Sequence, residues 1–117
     1  QIHWPDRRVP LFSSTNERYD MTKERDDDIP FEEQLAAMDE VVRAGKVRHI
    51  GTSNDTPYGI LKMAQLGERM GYPRVCSVQN NYSLLTRADT ELGTMPEAVS
   101  RRNGNVSFLA YSPLAGG

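Results

Sequence analysis

The stretch Ala44-Gly45-Lys46-Val47-Arg48-His49-Ile50-Gly51-Thr52-Ser53-Asn54-Asp55-Thr56-Pro57 decides how the rest of the chain is read. Gly45 can take the left-handed conformation that closes a helix C-terminus. The β-branched Val47, Ile50 and Thr52 then predict a short strand over residues 47–52. Ser53 and Asn54 form a polar tip, and Asp55 or Thr56 ahead of Pro57 reads as a helix N-cap followed by Pro at the first helical position. Helix, strand, polar tip and helix follow one another as one period of a βα repeat. Its hydrogen-bonding side chains sit at the carboxyl end of the strand.

Working outward, Phe31, Leu35, Met38 and Val42 recur at helical spacing behind Glu32 and Glu33, which predicts a helix over 30–43. On the other side Ile60, Leu61, Ala64 and Leu66 mark a helix over 56–70, closed by Gly71 with Pro73 just beyond. Residues 75–79 read as a short buried strand and 80–87 as a loop. A weaker helix is expected over 90–101, because Gly93 and Pro96 disfavour a regular interior. Residues 103–105 form a turn, 106–111 a strand and 112–117 a loop. At the start, residues 1–7 end a strand that Pro5 stops, since proline donates nothing to a ladder. Residues 6–28 show no period of either kind, and so long a loop is as a rule functional or mobile. The charged run 23–28 reads as solvated surface.

Strands predicted to begin at 47, 75 and 106, each after a helix, imply a parallel α/β sheet. Their short apolar runs suggest cover on both faces. An open doubly wound sheet and a (β/α)₈ TIM barrel both fit. No Gly-rich dinucleotide fingerprint follows any strand, which favours the barrel. Four strands make only about half of one.

The chain has 117 residues, enough for one domain, with 38% apolar and 26% charged residues and a net charge of -2. That balance supplies no basic field for nucleic acid or an anionic membrane, so neither partner is expected. No apolar run approaches the roughly 20 residues of a membrane helix. The single Cys76 cannot form an internal disulfide, which fits a reducing, cytoplasmic setting. The chain lacks an initiator Met and opens inside an apparent strand, so a fragment is expected, and an organelle-targeting segment could have been lost. No metal site is expected.

Ligands of α/β folds bind at the carboxyl ends of the strands. There the sequence puts His3, Ser53 with Asn54, Gln79, and Tyr111. His3 could donate to a substrate carbonyl, or merely be a strand-end histidine satisfied by backbone. Ser53 and Asn54 could grip an amide or shape the turn, and Gln79 could hold the same amide or face water. Tyr111 could stack on a flat ring or serve as half-buried core. The small, Gly-ended tail from Ser112 could bring backbone N–H groups to a phosphate, although Ser-Pro and Gly-Gly also mark any turn. His49, near the start of its strand, reads as structural.

Gln1-Ile2-His3-Trp4-Pro5-Asp6-Arg7, Ala44-Gly45-Lys46-Val47-Arg48, Ile50-Gly51, Ser53-Asn54, Gln79-Asn80, Tyr82-Ser83-Leu84-Leu85 and Ala110-Tyr111-Ser112-Pro113-Leu114, in that order, resemble the aldo-keto reductase superfamily. The resemblance covers most of the chain and implies a (β/α)₈ barrel, here strand four to strand seven. Residues 1–117 would be part of one NADP-dependent oxidoreductase domain, with a long substrate-side loop at about 6–28. It implies hydride transfer from NADPH to an aldehyde or ketone. His3 resembles the histidine that orients the carbonyl, and Trp4 a residue of the substrate wall. Ser53, Asn54 and Gln79 resemble the residues that hold the carboxamide, and Tyr111 the aromatic under the nicotinamide. Ser112, Leu114 and Gly116 resemble part of the pyrophosphate cradle. The family's catalytic tyrosine, lysine and aspartate precede strand four, and none of Tyr19, Tyr58, Tyr72, Tyr82 or Tyr111 matches that tyrosine. The chain alone is therefore expected to be inactive. A non-catalytic nicotinamide-binding module, like the potassium-channel β subunits that resemble reductases, is the alternative. A barrel for another phosphate ligand is a third reading, and it leaves the Ser53-Asn54 and Gln79 set unexplained.

Overall fold

The computed structural model describes residues 1–9, 19–87, 90–91 and 95–116. Helix α1 (Phe31–Arg43) begins after Pro30, carries Glu32 and Glu33 in its first turn, and buries Leu35 completely. Gly45 then takes φ +70°, the left-handed turn expected of it. The strand that follows is shorter than predicted: β1 spans Ile50–Ser53. The N–H groups of Lys46 and Val47 fold back onto the carbonyl of Val41, at 3.1 and 3.3 Å. Those donors are lost to a ladder, so Val47 stays outside the sheet despite its β-propensity. His49 is exposed just before β1.

Helix α2 (Pro57–Met70) starts at an N-cap that proves to be Thr56, whose hydroxyl accepts from the N–H of Gly59, and it closes on Gly71 at φ +70°. Strand β2 (Val75–Asn81) runs past the predicted end, because Asn80 and Asn81 pair with Ala110 and Tyr111 of β3 (Ser107–Tyr111). Val106 falls outside β3, its N–H donating instead to the carbonyl of Val99. The third helix, α3, is described over Met95–Val99 only. Pro96 sits in its first turn, where a missing N–H costs no hydrogen bond, and Gly93 lies outside the described residues.

The sheet is parallel, in the order β1-β2-β3, and Ile2 adds a parallel bridge to Thr52 on the far side of β1. Its register shifts between Ile50 and Gly51, so that Gly51 faces Ser77. A Cβ on Gly51 would come within 2.4 Å of the Ser77 hydroxyl oxygen, so only glycine allows this approach. Two apolar clusters lie between sheet and helices: Leu35, Ile50, Met63, Leu66 and Val75, then Ile60, Val78, Met95 and Val106. Cover is uneven across the sheet: all four residues of β1 are buried, whereas Leu109 and Tyr111 of β3 are exposed. The predicted burial of both faces holds for β1 and fails for β3, where four of the five residues are exposed.

The charged run 23–28 is more than solvated surface. Arg25 pairs with Asp28 at 2.6 Å and with Asp6 at 3.4 Å, and Asp6 accepts the N–H of Ile29 at 2.7 Å. These contacts bring the two ends of the long loop together beside Pro5. Residues 10–18 lie outside the described residues. No helix among the described residues is long and apolar enough to cross a membrane.

Candidate active site

The turn after β1 is built from both sides. Ser53 donates its hydroxyl to the Gln79 carbonyl at 2.8 Å, and its N–H to the Ile2 carbonyl at 2.8 Å. Asn54 also donates its N–H to the Gln79 carbonyl, at 3.0 Å, and its side-chain amide to the His3 carbonyl at 3.0 Å. Asn54 stands at φ +53°, a left-handed conformation that non-glycine residues adopt at a cost and that collects at functional turns.

His3, Trp4, Ser53, Asn54, Gln79 and Tyr111 line a single cavity of about 280 Å³. All of them were singled out from the sequence, and they converge although up to about a hundred residues separate them. The His3 and Trp4 rings lie 5.8 Å apart at 54°. The Gln79 side-chain amide has no hydrogen-bond partner among the described residues, so its donors and acceptor are available to a ligand. Ser53 keeps its acceptor lone pairs, and Asn54 its side-chain carbonyl and second N–H. Tyr111 leaves 57% of its surface exposed on the same rim.

Ser112, Leu114 and Gly116 do not line this cavity. They belong to the turn directly after Tyr111, closed by the Ala115 N–H on the Ser112 carbonyl at 2.9 Å. Ser112, Ala115 and Gly116 all have positive φ. Next to β3, the Tyr82 ring meets Phe108 edge-on, and its hydroxyl donates to Glu91. The Arg87 guanidinium, with that hydroxyl, holds the exposed Glu91 carboxyl below its ordinary range.

Sequence reasoning missed the polar cluster behind the turn. Asp55, 2% exposed, accepts from Arg7 at 2.5 Å and from the Thr56 N–H at 2.7 Å. Asn80 brackets the Asp55 backbone, accepting its N–H at 3.1 Å and donating to its carbonyl at 2.7 Å. The signals were Arg7 and Asn80 inside the quoted motifs and Asp55 as one of the two N-cap candidates. A larger cavity, about 610 Å³, lies at the amino ends of β2 and β3, lined by Arg74, Arg101 and Arg102 among others, and holds none of the predicted site residues. Among the described residues no three His, Cys, Asp or Glu side chains are grouped to hold a metal.

A family model described as the aldo/keto reductase family matches residues 1–117. The chain is 40% identical over 121 residues to an aldo-keto reductase of Babesia bovis, covering all of this chain and 42% of that protein. It is 38% identical over 117 residues to Protein tas of Escherichia coli, covering all of this chain and 32% of that protein. The chain thus spans less than half the length of these curated relatives. A crystal structure of a thermostable aldo-keto reductase in complex with the inhibitor epalrestat superposes with a TM-score of 0.58 at 36% identity, covering 75% of this chain and 30% of that one. The parallel strands and their intervening helices are accordingly part of a TIM-barrel architecture. With the whole chain matched, it belongs to the aldo/keto reductase family.

Proposed function

We propose that the protein containing this chain reduces an aldehyde or ketone to the alcohol with NADPH. One observation carries the reading: His3, Trp4, Ser53, Asn54, Gln79 and Tyr111, from four neighbouring segments, line one cavity. The donor set suits a nicotinamide. Ser53, Asn54 and Gln79 together offer donors and acceptors matching a carboxamide, and the exposed Tyr111 ring offers a flat face. Ser112, Leu114 and Gly116 would border the pyrophosphate, where backbone N–H groups suit an anion. When bound, the cofactor supplies the hydride that the carbonyl carbon receives.

The remaining work falls to side chains. His3 donates an imidazole N–H to the carbonyl oxygen, and its backbone is steadied by the Asn54 amide. Trp4, half exposed beside it, walls the substrate. The loop at about 6–28, whose described ends are tied together through Asp6, Arg25 and Ile29, would belong to the substrate side. In this reading the Tyr111 ring stacks on the nicotinamide, and Tyr19, Tyr58, Tyr72 and Tyr82 do not line the cavity. On this proposal the proton donor lies outside these 117 residues, and residues 1–117 are part of a single reductase domain.

The test follows loss of NADPH near-ultraviolet absorbance with an aldehyde. The whole protein should turn over, and the 117-residue chain alone should not exceed background, since losing one member of a coupled catalytic set removes orders of magnitude of rate. Robust turnover by the chain alone would overturn the placement of the proton donor. Cofactor binding without turnover by the whole protein would favour the non-catalytic module.

A further inference from the structure

Behind the cavity, and lining none of it, lies an ion pair, buried at Asp55 and partly so at Arg7, that neither the hydride chemistry nor the core requires. Arg7 leaves 18% of its side chain exposed and Asp55 only 2%, at a separation of 2.5 Å. Burying two charges is costly, and such a pair is commonly no more stabilising than apolar residues of equal volume. What it does provide is geometry. The same guanidinium also donates to the Thr56 hydroxyl at 2.9 Å and lies 4.9 Å from the Phe31 ring centroid and 5.8 Å from that of Tyr58. It therefore joins the segment that carries His3 and Trp4 to the first turn of α2 and to α1.

Asp55 is fixed from every side: its carboxylate by Arg7 and the Thr56 N–H, its backbone N–H and carbonyl by Asn80. The residue immediately before it is Asn54, at φ +53°. A strained conformation persists only where the surroundings over-determine it. Asn54 is thus held from both sides, by the clamped Asp55 and by its own N–H on the Gln79 carbonyl.

We propose that Asp55, through its pairing with Arg7 and its bracket by Asn80, is the positioning residue that aims Ser53 and Asn54 at the carboxamide. It touches no ligand and acts through its neighbours. The inference rests on the nicotinamide reading above.

Gly59 supplies a second handle on the same contact. A Cβ there would stand 2.2 Å from the Asp55 carboxylate oxygen and 2.3 Å from the Arg7 guanidinium nitrogen. Gly59→Ala thus displaces the pair while keeping every charge and favouring the helix.

The experiment uses the full-length protein and two titrations read by fluorescence, one with NADPH and one with 2′-phospho-ADP-ribose, which lacks the nicotinamide. NADH and ADP-ribose form a parallel pair should the protein prefer NAD. Asp55→Asn and Gly59→Ala are each expected to weaken NADPH about tenfold, the scale of one well-placed hydrogen bond lost. Both should leave 2′-phospho-ADP-ribose unchanged. Equal weakening of both ligands would mean a merely structural role, and no weakening of either would mean no role, so each overturns the proposal. Should Asp55→Asn fail to fold, Gly59→Ala decides alone. A wild-type protein that binds none of the four ligands would instead overturn the nicotinamide reading, and this inference with it.

Discussion

An imidazole at a strand end gains a role from its neighbours. His3 shares a cavity with Trp4, Gln79 and Tyr111, and its own carbonyl is held by the Asn54 amide. Replacing it should therefore leave the turn nearly intact while removing one donor to the substrate oxygen. In the whole protein, His3→Ala is expected to lower kcat for a ketone by about a hundredfold, the usual cost of one such donor, with a smaller change in KM. Unchanged steady-state kinetics would take His3 out of the site. At this scale the sequence was informative because strand-end polar residues stand out against apolar runs. Asp55, Arg7 and Asn80 did not stand out. Their partners are distant in the chain, Arg7 lying 48 residues before Asp55, and a charged residue in a turn looks like surface until the fold buries it.

Secondary structure was legible where side-chain period and caps agree, as in α1 and α2, and less so where backbone donors decide. Val47 and Val106 have strand-forming side chains, yet each gives its N–H to a preceding helix end or turn, and β1 and β3 begin later for that reason. Nothing in local composition announces that choice. Within β1, Thr52 is 1% exposed and its hydroxyl has no hydrogen-bond partner among the described residues. Leaving a buried hydroxyl unpaired costs stability that an apolar group of the same shape recovers. Thr52→Val is thus expected to raise the unfolding free energy by about 1 kcal/mol in denaturant titration. A loss of stability would mean that the hydroxyl has a partner.

Across the molecule, alternation of strand and helix was enough to forecast a parallel α/β sheet, but it could not choose between an open sheet and a barrel. That choice turned on residues far apart in the chain and on likeness to reductases over its full length. Nor could it show that β1 is buried while β3 is left exposed, since every strand reads as apolar. The exposed β3 carries Leu109 and Tyr111 on a strand whose outer edge is unpaired among the described residues. Such edges recruit other strands. Sedimentation of the 117-residue chain by itself should therefore show association that grows with concentration, and a monodisperse monomer throughout would contradict this. At the rim, one oxygen has a wider consequence. The Gln79 carbonyl takes donors from both Ser53 and Asn54, so the residues of two adjacent strands behave as a single mechanical body. Neighbours coupled in this way do not change independently. A descendant that drifts toward a differently shaped ligand must alter both strands in concert, because a lone substitution leaves the other half pointing at the ancestral one.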